Sequence, residues 1–124
     1  MRALIICAAV CGFLLVAVGA IGAHMVVVEA ADRWNSAMLY GFVHALAALG
    51  AAAAPLQGRI RLAAGWAFIA GVVLFSGIQI ARMLAGSSAT PLEVLGPLVP
   101  VGGIAFMLGW VLLAIAAGVS RRSA

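Results

Sequence analysis

Two histidines, His24 and His44, stand at or inside long uncharged stretches of this 124-residue chain. An ionisable side chain there is costly to insert and needs a partner. An imidazole in such a place can relay a proton, ligate a metal or haem, or sit neutral in a hydrogen bond to a carbonyl or hydroxyl. If the helices that carry them are antiparallel neighbours, the two rings share the outer half of the molecule, within reach of Glu29 or Asp32. Seven positions in from Ala37, at 1.5 Å each, put His44 about 10 Å below the outer end of its helix. Ser76, Gln79 and Arg82 make a second polar group at the far end of the third apolar stretch, where Arg82 can snorkel outward or pair with Glu93. No strand precedes Ser76 and no base is assigned to it, so it is no nucleophile. Cys7 and Cys11 are four apart on one helix, poorly aimed for a bridge and with no nitrogen or further sulfur ligand near them in sequence. Metal binding would need a third ligand that these residues do not supply, so no metal and no cofactor are expected.

The elements that position these groups are membrane spans. With 67% hydrophobic and 8% charged residues and a mean hydropathy of +1.28, the chain lies outside the composition of soluble domains. Four apolar runs, residues 3–23, 37–54, 62–81 and 98–119, are long enough to cross hydrocarbon as helices. The predicted fold is an all-α integral membrane protein, one domain over residues 1–124. Its four transmembrane helices form an antiparallel bundle with short surface helices in the outer loops. A signal peptide is the weaker account of residues 3–23, because the run exceeds the usual apolar core of such peptides and three more spans follow.

The net charge of +4 comes from seven arginines, no lysine and three acids. Basic residues stand at span ends and are not interleaved with aromatics, which excludes nucleic-acid binding and points to orientation in the membrane. Arg2, Arg59, Arg61, Arg121 and Arg122 fall on the side of the termini, and Arg33 and Arg82 on the other, which predicts cytoplasmic N- and C-termini. Between the first two spans, residues 25–36 predict a short surface helix in which Glu29 and Arg33 pair at i,i+4, with Asn35 or Ser36 capping the next helix and Trp34 and Tyr40 at headgroup level. Thr90-Pro-Leu-Glu93 reads as a capping box that opens another short helix.

Each span carries small residues at helical spacing, which is how lipid-embedded helices come close. In the first these are Gly12 and Gly19. The second has Ala37, Gly41, Ala48 and Ala52, with His44 on the same face; the third has Ala63, Ala67, Ala70, Gly77 and Ala81; the fourth has Gly102, Ala105, Gly109 and Ala116. Gly102-Gly103 after Pro100 could open the last helix as in transporters, but continues this packing stripe more simply.

Four ordered motifs carry a family resemblance: Gly19-Ala-Ile-Gly-Ala-His24, Tyr40-Gly-Phe-Val-His44-Ala-Leu, Leu74-Phe-Ser-Gly77 and Pro100-Val-Gly-Gly-Ile-Ala-Phe-Met-Leu-Gly-Trp110. Over nearly its whole length the chain resembles the YgdD/YwdK family of small bacterial inner-membrane proteins, a domain of unknown function. The resemblance implies four helices in the bacterial inner membrane and no established activity. In that pattern a threonine commonly occupies the position of Val99 and a tyrosine stands near Ile80; both departures remove polar groups from the outer half.

With little polar interior and no paired catalytic groups, the chain is expected to be no enzyme. Its partners are the bilayer and, through small faces that one bundle cannot all use internally, a second copy or a larger membrane assembly. Gly109 is the expected contact. The alternative is a small transporter or channel with His44 on the path and Ser76, Gln79 and Arg82 near the outer mouth.

Overall fold

The computed structural model describes residues 1–56, 58–86 and 90–120. The predicted loop residues 87–89, the side chain of Thr90 on which the capping box rests, and Arg121 and Arg122 lie outside the described structure. The helices are α1 (Arg2–Met25), α2 (Ala31–Ala53), α3 (Ile60–Gly71), α4 (Ile78–Ala85), α5 (Thr90–Glu93) and α6 (Leu98–Ser120). A π-helical segment, Val72–Gly77, joins α3 to α4 into one rod. Among the described residues, four rods are long and apolar enough to cross a membrane: Arg2–Met25, Val28–Ala53, Ile60–Ala85 and Leu98–Ser120. The chain is an all-α membrane bundle of four spans.

The link between the first two spans is tighter than its composition suggests. Val26 and Val27 are extended, Val28–Ala30 makes one 3₁₀ turn, and α2 already runs from Ala31. Asn35 and Ser36 therefore lie inside α2 and cap nothing. Glu29 sits in the 3₁₀ turn, out of α register with Arg33, and no ion pair forms among the described residues, neither Glu29 with Arg33 nor Arg82 with Glu93. Trp34 is 6% exposed and packs on Gly22, where any side chain would collide with its ring, so it locks α1 to α2 at this end of the bundle.

At the other end, the polar break after Ala53 turns the chain through Gly58 at φ 91°, a left-handed conformation that favours glycine. Arg61 ties this end together. Its Nη1 donates to the carbonyls of Ala51 (3.1 Å) and Ala52 (2.7 Å), and its Nη2 lies 3.8 Å from Met1 Sδ. The last carbonyls of a helix have no partner within it, so a cation that bonds them also meets the negative end of the helix dipole.

α2 and the third span form the central pair, with α1 packed on both and α6 packed on the third span. Glycines set the closest approaches. Leu4 of α1 fills the space over Gly65, Phe106 of α6 lies over Gly71, and Phe68 of α3 lies over Gly109. Gly102 abuts the backbone of Leu74 and Phe75 in the π segment, where a Cβ would stand 2.9 Å from the Leu74 carbonyl carbon. The α6 stripe is thus used up inside the bundle. The third-span stripe is not: Ala63, Ala70 and Gly77 are exposed, and the packing face runs through Ala64, Phe68, Val72 and Ser76. A π turn holds more residues than an α turn and shifts every later side chain around the rod, so a stripe counted at constant 3.6 spacing does not describe this span.

Candidate functional site

His44 is the buried polar centre, 5% exposed. It follows the first residue of α2 by 13 positions, about 20 Å at 1.5 Å each, so it lies near the middle of the bundle and not in its outer half. Trp110 follows the first residue of α6 by 12, and the two helices start on the same side, so the rings meet at one depth. The Trp110 indole N–H donates to His44 Nε2 at 3.1 Å. An indole nitrogen only donates, so Nε2 accepts, the imidazole proton sits on Nδ1, and Nδ1 donates to the Tyr40 carbonyl at 2.8 Å. Phe106 stacks on the ring at 3.7 Å and 15°, and Phe68 and Tyr40 close two further sides. Both ring nitrogens are occupied and the ring is neutral. A second proton on it would face the indole N–H.

His24 and His44 do not share one half of the bundle and do not meet. His24 is exposed at the end of α1, whereas the rings around His44 come from α2, α3 and α6. Ser76 is also displaced from expectation. It is fully buried between the π segment and α2, 3.1 Å from where a Cβ on Gly41 would stand, and its hydroxyl has no hydrogen-bond partner among the described residues. It lines no outer mouth. Gln79 and Arg82 do line a surface notch of about 90 Å³, together with Arg33 and Met83.

Of the predicted packing glycines, Gly19 meets Met38, Gly41 meets Leu15 and Ser76, and Gly102 and Gly109 meet the third span. A Cβ on Gly12 would meet no other part of the chain within 4 Å, and one on Gly77 only the Val72 carbonyl of its own rod. Gly77 lies in an apolar groove of about 350 Å³ between α1 and the third span, lined by Cys11, Leu15 and Val18 on one wall and Val73, Gly77 and Ala81 on the other. Cys7 and Cys11 are half-buried free thiols, and among the described residues no group of three His, Cys, Asp or Glu side chains could hold a metal.

A second, larger groove of about 600 Å³ lies between α2 and α6, which touch chiefly through side chains. Tyr40, His44 and Phe75 form its floor and Ile104, Met107 and Trp110 its α6 wall. Tyr40, Trp110 and Arg33 are the residues that counting along single helices missed. From the apolar runs alone His44 lies 7 positions in and Trp110 12; only the start of α2 at Ala31 brings the two to one depth. Arg33 and Arg82 were marked by being the two arginines on the side away from the termini.

Residues 18–103 match a family described as a protein of unknown function, DUF423. The chain is 36% identical to the UPF0382 membrane protein YwdK of Bacillus subtilis over 94% of its length and 97% of that protein. It is 38% identical to the UPF0382 inner membrane protein YgdD of Escherichia coli, over 94% and 89% of the two chains. A UPF0382 membrane protein of Schizosaccharomyces pombe is 33% identical over 83% of this chain and 91% of its own. No solved structure matches.

Proposed function

The chain belongs to the DUF423 family of membrane proteins, whose function is unknown, and from that premise we propose that it acts by helix association in the bilayer, as a homo-oligomer. The observation that carries this is the groove between α1 and the third span. It is apolar, it follows the axes of two spans over several turns, and it leaves Gly77 without a neighbour from another helix. A glycine that no helix approaches within the chain is available to one from outside, and such approach is what drives association where lipid tails are as apolar as leucine. A subunit of a larger inner-membrane assembly would use the same surface. The orientation that fits is cytoplasmic termini, with five of the seven arginines on that side.

The contact surface is therefore moved from Gly109, which Phe68 covers, to Gly77. Mass measurement of the purified protein in mild detergent tests it. Wild type is expected as a dimer or larger complex and Gly77→Leu as a monomer with unchanged helix content; a wild-type monomer, or a complex that Gly77→Leu leaves intact, overturns the proposal. Gly109→Leu should instead destabilise the bundle itself, by about 1–3 kcal/mol of overpacking against Phe68, read as a lower unfolding midpoint. The transport alternative draws less support from the geometry, because a proton relay at His44 needs a ring nitrogen that Trp110 and Tyr40 do not already hold.

A further inference from the structure

We propose that the groove between α2 and α6, with the arginine notch above it, is a binding site for one anionic phospholipid. The two cavities are stacked. On α2, Arg33 in the notch is one turn before Ser36 at the mouth of the groove, and on the third span Gln79 in the notch is about one turn after Phe75 in the groove. A molecule lying along the groove therefore ends in the notch.

The notch has the chemistry of a phosphate receptor. Arg33 and Arg82 face it with Gln79, no carboxylate lines it, and neither guanidinium is in an ion pair among the described residues. Positive charge is depleted on the side of the bundle away from the termini, yet both arginines that remain there converge on this one cavity. Gly96 keeps the approach open, since a Cβ there would stand 3.3 Å from Arg82 Nη1. The notch holds about 90 Å³, more than a single water needs and room for a phosphate group. Arginine presents planar forked donors that match phosphate oxygens, and a basic pocket between spans is a known form of headgroup recognition.

The groove has the dimensions of an acyl chain in one leaflet. From Pro100 to Trp110 its α6 wall runs ten positions, about 15 Å at 1.5 Å each, half of a hydrocarbon core of about 30 Å. The walls are apolar and aromatic, and His44, the polar group at depth, is already paired. Gly103 leaves the lumen clear: a Cβ there would make only an ordinary 3.9 Å contact with Phe75. The occupant is thus a membrane lipid held at both ends, with phosphate on the arginines and chain against Ile104 and Met107.

Delipidated protein in mild detergent, offered equal phosphatidylglycerol and phosphatidylcholine of identical chains, tests this by counting retained lipid with native mass spectrometry. Two juxtaposed arginines predict a preference of about thirtyfold for phosphatidylglycerol in wild type. Arg33→Gln combined with Arg82→Gln should abolish the preference. Gly103→Leu should cut retention of phosphatidylglycerol with helix content and unfolding midpoint unchanged, and inorganic phosphate should fail to compete. Equal retention of the two lipids by wild type, or a preference that survives the double substitution, overturns the proposal. Efficient displacement by inorganic phosphate, with no effect of Gly103→Leu, overturns it in favour of a simple phosphate site. A Gly103→Leu variant that changes the mass of the protein complex with lipid retention intact overturns it in favour of a second copy in the groove.

Discussion

At the end of the bundle that carries the N-terminus, Arg61 donates to the carbonyls of Ala51 and Ala52 and lies against Met1, so one side chain joins the starts of α1 and α3 to the end of α2. At the opposite end, Arg33 and Arg82 face a notch without a carboxylate and form no ion pair among the described residues. The same residue type closes the fold at one end and leaves charge on offer at the other. Arg61 meets the C-terminus of α2, whose unpaired carbonyls a guanidinium satisfies, whereas Arg33 stands at the start of α2, whose N–H groups repel it, and Arg82, in the last turn of α4, bonds no carbonyl among the described residues. Arg33 sits in that first turn, against the helix dipole, a placement that stability alone does not favour.

The contrast is broken most directly at Arg61. Arg61→Ala removes two hydrogen bonds from a charged donor and leaves the Ala51 and Ala52 carbonyls without them. The expected loss of folding stability is about 2–4 kcal/mol, from roughly 1.5–3 kcal/mol per charged hydrogen bond offset by partial access to water. Arg61→Lys should recover part of it, because an ammonium keeps the charge but lacks the fork. Unfolding midpoints in a denaturing detergent series measure both. A loss no larger than that of Arg82→Ala would erase the distinction between the two ends.

His44 lies between these extremes in depth and in expected effect. Trp110→Phe keeps a ring in the groove wall and removes only the N–H that His44 accepts, for an expected cost of about 1 kcal/mol. Adding His44→Phe should then cost less than it does in wild type, since the unpaired Nε2 has already been created. A double-mutant cycle reads the coupling. Additive effects would mean that the indole and imidazole do not act as a pair.

How much of this was legible in the sequence varies with the range of the interaction. Four spans and their antiparallel order follow from run length, a local property; small residues at helical spacing marked Gly102 and Gly109 as points of close approach, but the helix over Gly109 is α3 of the same chain and not the second copy expected there. The outward displacement of Gly77 and the burial of Ser76 were not legible, because the π segment between Val72 and Gly77 changes the residues per turn and nothing in Val-Val-Leu-Phe-Ser-Gly announces it. His44 was recognisable as a buried polar group, and a neutral ring bonded to a carbonyl was among its readings, but nothing local pointed to Trp110 of α6, 66 residues away. Val99 and Ile80, whose apolar character argued against a polar outer cleft, line neither the notch nor the wide groove; the polarity there comes from Arg33, Gln79 and Arg82.

The smallest expected effect is the most informative about the two ends. Arg33→Gln and Arg82→Gln, separately or together, should change folding stability by no more than about 0.5 kcal/mol in lipid-free detergent, the usual range for a surface change that breaks no specific contact. Relief of the repulsion between two cations in one notch should even favour the double variant slightly, and that gain should shrink as salt rises and screens the pair. Adding phosphatidylglycerol should then raise the unfolding midpoint of wild type and leave the double variant where it was, because a ligand that binds only the folded state stabilises it in proportion to its occupancy. Arg61→Ala, starting far lower, should still respond to the lipid, since its notch is intact. If instead the Arg33 and Arg82 variants unfold as readily as Arg61→Ala without lipid, all three arginines are structural, and the end of the bundle away from the termini holds no charge in reserve for a ligand.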